Sequence, residues 1–357
     1  MHMADAIISP SVGLAGWAVS GLAVARSARR LSRRAAAPQE ELLRAPLMGV
    51  MGAFVFAAQM INFSIPGTGS SGHLAGGLLL AILLGPDAAL LVMASILAAQ
   101  ALLFADGGIL ALGCNLFNMG VLTTQLAFPL LYGRLRGASP GPRRQLMATL
   151  VTAEVGLLLG ALAVAVETTA SGVAALPFRT FLLFMLPIHA AIALVEGGVT
   201  SAVLGFLLRA RPRAFAPTVA DTAPSLGRSA LGVIAAAALL TAGGLCWFAS
   251  ERPDGLEWSL ARTAGAESPG VAQGATHRWF ESLQSKTAWL REYSLPGAER
   301  DATRVEAPMA RASAWPSAGA STSLAGLVGV GVTLLALVGL GWVLRWFRAR
   351  PRPIDPT

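Results

Sequence analysis

Charge is scarce in this chain of 357 residues: only 13% of them are charged, whereas an ordinary soluble domain carries about a quarter. Lysine is almost missing, with Lys286 alone against 26 arginines. The two cysteines, Cys114 and Cys246, lie in apolar runs, so they are expected to be buried free thiols rather than a disulfide framework or a CxxC metal site. This composition excludes a soluble globular enzyme, a disordered protein and a nucleic-acid-binding protein.

Apolar residues dominate instead: they form 54% of the chain, and the mean hydropathy is +0.62. A stretch of about 20 apolar residues crosses a bilayer as a helix, so the sequence predicts an all-α, polytopic membrane helix bundle. The third candidate stretch ends at Gly85-Pro86 and spans only about 20 Å as a helix, which leaves open whether it crosses fully. The predicted spans are 9–25, 45–63, 72–84, 87–105, 109–132, 146–167, 179–208, 229–249 and 323–344.

Arginine placement predicts the orientation of the bundle, because positive charge accumulates on cytoplasmic loops. With the N-terminus outside, 18 of the 27 basic residues fall on the inner side, in the loops 26–44, 133–145 and 209–228 and in the C-terminal tail. We therefore expect a multi-pass protein of the cell's inner (plasma) membrane, with an outer N-terminus and a cytoplasmic C-terminus. The formal net charge of +8 then reflects topology rather than a nucleic-acid patch.

Composition divides the chain into two modules joined by a proline-rich linker. Residues 1–208 form the predicted seven-span core, and residues 209–228 form the cytoplasmic linker. Residues 229–346 form a two-span appendage with an extracytoplasmic segment at 250–322, and residues 347–357 form a cytoplasmic tail. The basic cluster follows the first apolar run instead of preceding it, which predicts a translocated, uncleaved N-terminus rather than a signal peptide.

The second residue of the chain is a histidine, which gives the N-terminus an unusual capacity for metal binding. The Met1 amine, the backbone amide nitrogen of His2 and the His2 imidazole can close two fused chelate rings, placing three nitrogens in one plane. In the predicted topology His73 lies on the same outer face and can complete a planar set of four nitrogens. Such a set suits Ni(II) or Cu(II), whereas Mg(II) and Ca(II) prefer oxygen. Taken singly, either histidine is better explained as a solvated surface residue, and only the pair on one face makes a ligand role equally plausible.

Ionisable residues also occur inside the predicted membrane spans, where they are costly and often functional. His189 and Glu196 lie two helical turns apart on one face of the seventh span, with Glu154 of the sixth span as an alternative partner. They form either a functional polar pair or a structural hydrogen-bonded pair. Other polar residues near the outer ends of the spans can orient the histidines or bond to broken backbone. These candidates are Asp5, Gln59, Asn62, Asp106, Asn115 and Asn118.

Two alternative functions remain open from these residues alone. Gly69-Ser70-Ser71-Gly72 matches the GxSG motif of intramembrane serine proteases, with Ser71 and His189 as a candidate dyad. A structural or chaperone-like membrane subunit without a ligand is the other alternative. An ATP site is not expected in this chain, because a GxxxxGK[ST] phosphate loop needs a lysine and Lys286 is the only one.

Several stretches of the first 208 residues carry a family resemblance. They are Met1-His2-Met3-Ala4-Asp5-Ala6-Ile7-Ile8-Ser9-Pro10, 57–63, 67–77 around His73, 104–108, and Pro187-Ile188-His189 with Glu196-Gly197. Together they resemble the CbiM/NikM-type substrate-binding membrane components of nickel and cobalt energy-coupling-factor (ECF) transporters. The resemblance implies that Ni(II) or Co(II) is the imported substrate, held by the Met1 amine, the His2 amide and imidazole, and His73. It also implies a transmembrane coupling (T) component and two ATP-hydrolysing subunits as partners.

Two motifs of the appendage carry a second resemblance. Pro253-Asp254-Gly255-Leu256-Glu257 and Tyr293-Ser294-Leu295-Pro296-Gly297 resemble elements of the small PDGLE-type (CbiN/NikN-like) two-span component of such transporters, here fused to the core. This implies a role in metal loading or release. Residues 258–292 are assigned no role, and His277 is expected to be an exposed loop residue. The opening Met3-Ala4-Asp5-Ala6 departs from the family's more familiar one, so the sequence does not distinguish nickel from cobalt.

Overall fold

The computed structural model describes residues 1–33, 38–138, 141–173, 176–210, 228–264, 274–295 and 319–349. Within these ranges the chain is helical apart from turns, loops and one small hairpin, which confirms the predicted all-α polytopic class. The expectations for most of the linker, for parts of the outer segment and for the end of the tail fall outside the described residues. Those parts are 211–227, 265–273, 296–318 and 350–357.

Twelve helices follow one another along the described ranges. The core contains α1 (Pro10–Arg33), α2 (Pro38–Gln59), α3 (Gly77–Leu84), α4 (Pro86–Ala99), α5 (Leu112–Leu116), α6 (Gly133–Arg136), α7 (Pro142–Ser171) and α8 (Phe178–Ala210). The appendage contains α9 (Arg228–Gly243), α10 (Gly255–Ala264), α11 (Ala275–Thr287) and α12 (Ala320–Ala349). Segments of π-helix continue α4 (Gln100–Phe104) and link α5 to α6 (Phe117–Tyr132). Strands β1 (Phe63–Ser64) and β2 (Ser71–Gly72) form an antiparallel hairpin between α2 and α3.

Among the described residues, four helical stretches are long and apolar enough to cross a membrane. They match the predicted fourth, sixth, seventh and ninth spans: Pro86–Phe104, Pro142–Ser171, Phe178–Arg209 and Ala320–Leu344. Two shorter apolar helices, Ala45–Gln59 and Ser229–Gly243, match the second and eighth.

Helix α3 is shorter than the predicted third span of residues 72–84. It covers only eight residues, or about 12 Å. Two features shorten it: β2 takes up Ser71–Gly72, and Gly76 adopts a left-handed conformation with φ of 76° directly before the helix. The segment between them, which includes His73, is therefore extended rather than helical.

The two ends of the bundle differ in their side chains. We call the end with Met1 and His73 the site end, and the end with Arg30 the arginine end. Asp87, just after α3, accepts a hydrogen bond from the Ser27 hydroxyl (3.0 Å) and lies 3.8 Å from Arg30. Helices α1 and α3 therefore both run from the site end to the arginine end, as the predicted order of spans requires.

Small residues bring α1 against α5 close to the site end. A methyl carbon added at Gly16 would lie 2.5 Å from the Cys114 sulfur, and one added at Gly113 would lie 2.2 Å from the Trp17 nitrogen. The Ser20 hydroxyl donates a hydrogen bond to the Gly113 carbonyl (2.6 Å). Such close approach through small residues is typical of membrane helices, and it places the start of α5 beside the N-terminal tip.

The appendage packs against the core along the bundle and across the site end. Helix α12 packs along α2, and α9 contacts both of them. In the outer segment, α10 lies on α8, while α11 contacts the Gln100–Phe104 segment and the short 3-10 turn Asp5–Ile7. The outer segment therefore covers the end of the bundle where the N-terminus lies.

Candidate metal centre

The N-terminal tip folds into the site end of the bundle. Met1 is 6% exposed, and Met3 is fully buried. The Met3 amide donates to Asn115 Oδ1 (2.8 Å), and Asn115 Nδ2 donates to the Met3 carbonyl (3.1 Å). Asp5 Oδ1 accepts a hydrogen bond from the Ala111 amide (2.9 Å). Asn115 and Asp5, both candidates from the sequence, thus hold the backbone next to His2 instead of contacting an imidazole.

The terminal amine of Met1 lies beside a carboxylate of the appendage. The distance from the amine nitrogen to Asp254 Oδ2 is 3.5 Å. Burial of the Asp254 carboxyl opposes its ionisation, but the nearby Met1 ammonium and the Glu257 amide outweigh this effect and lower the pKa of Asp254 below its usual value. The carboxylate is therefore charged at neutral pH and pairs with the amine.

The two candidate imidazoles lie side by side. The ring centroids of His2 and His73 are 5.0 Å apart, with an angle of 27° between the ring planes. Nδ1 of His73 is 3.0 Å from the Leu74 carbonyl oxygen. Because a carbonyl can only accept, Nδ1 carries the proton and Nε2 keeps a free lone pair. His73 is thus prepared to bind a metal ion through Nε2.

A chain of side-chain amides determines the tautomer of His2. Gln59 Nε2 donates to the Ala75 carbonyl (2.7 Å), so Gln59 Oε1 is the acceptor for Gln100 Nε2 (2.7 Å). Gln100 Oε1 then accepts the remaining hydrogen bond, from His2 Nε2 at 3.1 Å. The amide chain therefore places a proton on His2 Nε2 and turns Nδ1, the nitrogen that closes the chelate ring, toward Asp106. A proton that Asp106 holds on Nδ1 leaves when an ion binds there.

The Asp106 carboxylate faces Nδ1 of His2. Its Oδ1 is 3.4 Å from His2 Nδ1, and its Oδ2 accepts a hydrogen bond from the Tyr293 hydroxyl at 2.6 Å. Burial and the Asp106 charge raise the pKa of Tyr293 well above its usual value, so the hydroxyl keeps its proton and donates it. A residue of the appendage thus orients the carboxylate that faces His2.

The donors brought together are the Met1 amine, the His2 amide, His2 Nδ1 and His73 Nε2. Two of the four are backbone nitrogens. In the part of the chain that the structure describes, no three His, Cys, Asp or Glu side chains cluster as a metal site would require. A nitrogen set of this kind needs only two side chains, and nitrogen donors suit Ni(II) and similar divalent ions.

A small cavity with room for about one water molecule adjoins Met1 and His73. His189 of α8 and Asp254 of the appendage also line it.

The family model for the cobalt uptake substrate-specific transmembrane region (CbiM) matches residues 2–214, and the model for the PDGLE domain matches residues 228–346. The chain belongs to the CbiM family. It is a membrane metal-transport protein of that family fused to a PDGLE domain, as the sequence resemblances predicted.

Curated and solved relatives agree with this assignment. A fused nickel transport protein NikMN of Rhodobacter capsulatus is 33% identical over 261 residues, covering 68% of this chain and 74% of that protein. A cobalt transport protein CbiM of Sorangium cellulosum is 30% identical over 215 residues, covering 59% of this chain and 93% of that protein. The crystal structure of a truncated transition metal transporter matches with a TM-score of 0.51 and 27% identity, covering 59% of this chain and 99% of that one.

The protease alternative is wrong for this family member, because its relatives are metal transporters and its Ser71 is engaged elsewhere. The Ser71 hydroxyl donates to the carbonyls of Arg252 (2.8 Å) and Pro253 (3.3 Å), and the Ser71 amide donates to Pro253 (2.8 Å). His189 Nδ1 donates to the Met185 carbonyl (2.8 Å). The GxSG segment therefore joins the core to the appendage.

His189 and Glu196 bond to separate backbone groups in the described contacts and not to each other. Glu196 Oε2 accepts a hydrogen bond from the Ala75 amide (2.7 Å). It therefore holds the backbone just before α3 from a neighbouring helix, two residues after His73. The sequence correctly located two buried ionisable groups but wrongly paired them.

One further expectation is corrected. His277 is not an exposed loop residue: it is 8% exposed in the first turn of α11, and its Nε2 donates to the Ile8 carbonyl at 2.8 Å. Asn62, a candidate for orienting a histidine, accepts the Ser250 amide through its backbone carbonyl (2.7 Å), and the role of its side chain stays a prediction. Both residues connect the core to the outer segment.

Sequence reasoning missed three residues that contact the candidate donors directly or through one neighbour: Gln100, Asp254 and Tyr293. Asp254 and Tyr293 were visible only as letters of the two family motifs, and Gln100 carried no signal in the sequence. Their contacts join residues 98 to 253 positions apart, so they depend on the tertiary fold.

Proposed function

We propose that this protein is the substrate-capture component of an ECF-type transporter that imports Ni(II) or Co(II). The ion is held by the Met1 amine, the His2 amide and imidazole, and the His73 imidazole. The observation that carries the proposal is the burial of Met1 at a cavity that it shares with His73, together with the side-by-side packing of the His2 and His73 rings.

The surroundings of the tip support this role. A terminal methionine is ordinarily frayed and solvated, whereas here Asn115 and Asp5 hold the backbone on the far side of His2. The hydrogen bonds to Gln100 and to the Leu74 carbonyl leave one unprotonated nitrogen on each neutral ring. Preorganisation of this kind raises affinity because fewer groups must be ordered when the ion binds.

The proposed assembly follows from what the chain lacks and where its charges lie. Import against a gradient needs energy, and the chain has no phosphate loop. A transmembrane coupling component and two ATPase subunits therefore supply it. The site end faces outward and the arginine end faces the cytoplasm, as positive charge at inner loops requires. Apolar side chains on the outside of the bundle contact the lipid bilayer, among them Leu22, Leu240, Leu335 and Trp342.

A two-residue extension tests the metal centre. Adding two glycines before Met1 moves the primary amine out of the chelate ring and leaves no histidine at position two or three, while the adjoining cavity has room for only about one water molecule. We expect nickel and cobalt content, measured by elemental analysis of the purified protein, to fall to background. Intact-mass measurement first verifies that Met1 of the parent carries a free amine, and two glycines added after Thr357 are the control. An extended protein that binds metal normally would refute the chelate.

Competition between the two ions on the same protein identifies the preferred substrate. Ni(II) and Co(II) are added together at equal concentration, and the bound metal is measured. If the His73→Ala variant binds as much of each ion as the parent, His73 is not a ligand.

A further inference from the structure

The PDGLE motif forms a helix cap that leaves one carboxylate oxygen free. Asp254 Oδ1 accepts the Glu257 amide (2.7 Å), and Glu257 Oε2 accepts the Asp254 amide (3.2 Å). This reciprocal pair is a capping box at the N-terminus of α10. The box holds the Asp254 side chain in one orientation, with Oδ2 directed at the Met1 amine, 3.5 Å away.

The other residues of the motif fix this carboxylate relative to the core. The Pro253 carbonyl accepts the Ser71 amide (2.8 Å), which makes Ser71 and Asp254 neighbours in a parallel bridge. A methyl carbon added at Gly255 would lie 2.6 Å from Ile188 of α8, so only glycine allows this approach. Leu256 is 2% exposed. The motif is thus anchored to the hairpin on one side and to α8 on the other.

The Asp254 carboxylate neutralises the charge of the buried Met1 ammonium. The Met1 ammonium is almost completely buried, and Asp254 is the ion-pair partner recorded for it among the described residues. An ammonium removed from water without a counter-ion is strongly unfavourable. Without Asp254, the empty site would therefore favour a tip that leaves the bundle and returns to water.

We propose that Asp254, supplied by the PDGLE domain, is a positioning residue of the metal centre: it holds the Met1 amine in the empty site and stays as its counter-charge when the ion is bound. The inference rests on the proposed function. When a divalent ion binds, the ammonium and the His2 amide each release one proton to solvent. The bound ion and the amide anion together carry one net positive charge, which Asp254 balances in turn.

The test compares three variants of the full chain: Asp254→Asn, Asp254→Ala and Glu257→Gln. Asparagine caps a helix as well as aspartate but carries no charge, whereas alanine removes cap and charge together. Glu257→Gln removes one charge three residues away and keeps the capping box, so it is the matched control.

The first measurement is made on metal-free protein. All variants also carry Lys286→Arg, which leaves the α-amine as the only primary amine of the chain. The rate at which an amine-reactive ester modifies it then reports how well the tip is held. We expect both Asp254 variants to react about tenfold faster than the parent, and Glu257→Gln to react at the parent rate. The second measurement, the Kd for Ni(II) alone, should rise about tenfold in the same two variants, as for other residues that orient a metal ligand.

Two results would overturn the proposal. If Asp254→Asn matches the parent in both measurements while Asp254→Ala does not, Asp254 is only a helix cap. If neither Asp254 variant differs from the parent, the ion pair does not position the Met1 amine. A parent protein that binds no Ni(II) would overturn the proposed function, whereas the modification rates still decide the Asp254–Met1 pairing because they need no metal.

Discussion

Replacing Gln100 by methionine tests whether the amide chain prepares His2 for metal binding. Gln100 is 1% exposed and links His2 Nε2 to Gln59. Methionine has a similar length but neither accepts nor donates these hydrogen bonds. Two buried groups, the His2 N–H and Gln59 Oε1, lose their partner. The proton is then no longer directed to Nε2, so part of the His2 population carries it on Nδ1, where it blocks the chelate.

The expected magnitude follows from these two losses. Each buried group left without a partner costs about 1–3 kcal/mol of folding free energy. Of this free energy, only the portion that changes the His2 tautomer weakens metal binding. Losing the partner of a metal-ligating histidine typically weakens binding about 10–100-fold, or about 1.4–2.7 kcal/mol. We therefore expect the Kd for Ni(II) to rise about 10–100-fold in the Gln100→Met variant.

The assay pairs affinity with a direct view of the ring. Chelator competition in detergent gives the Kd, and nitrogen NMR of histidine-labelled protein shows which His2 nitrogen carries the proton. Gln125→Met is the matched control, because Gln125 also donates to a carbonyl (Pro86, 2.7 Å) but lies at the arginine end. The reasoning is refuted if Gln100→Met keeps the parent Kd and tautomer, or if both variants lose the same affinity.

Three further predictions concern the surroundings of the site. Gly255→Ala should lower the free energy of unfolding by about 1–3 kcal/mol, because the new methyl group overlaps Ile188. Gly198→Ala is the control, since its surroundings are open, and thermal unfolding should show no such loss for it. Glu196→Leu should weaken Ni(II) binding, since the Ala75 amide next to the His73 segment loses its acceptor; calorimetry showing an unchanged Kd would argue against this. Ni(II) binding should release protons and weaken from pH 8 to pH 5, because the amine and amide must deprotonate; equal affinity at both values would contradict the nitrogen donor set.

Local chemistry made part of the site predictable. The Met1 amine, the His2 amide and the His2 imidazole belong to two consecutive residues, so their capacity to chelate follows from covalent structure alone. The membrane class also followed, because hydrophobic length is a property of contiguous segments. The length of α3 did not follow, since it depends on a hairpin and on the left-handed Gly76 before the helix.

The polar residues were the least predictable part. His189 and Glu196 share a helix face and looked like partners, yet His189 bonds to the Met185 carbonyl one turn earlier on its own helix, and Glu196 bonds to the Ala75 amide, which is distant in sequence. His277 looked solvated but is buried against Ile8. A polar side chain finds its partner wherever the fold leaves an unpaired backbone group, and that location is not encoded in its neighbours along the chain.

The sequence by itself determined a helical membrane protein whose first two residues carry three nitrogens able to chelate a metal ion, because hydrophobic length and covalent connectivity are local properties. Only the tertiary structure decided which groups contact that N-terminus: Asn115 at the Met3 backbone, Gln100 at His2 and Asp254 at the Met1 amine. These contacts join distant segments, and a buried charge or proton is stabilised only by the groups that the whole fold brings beside it.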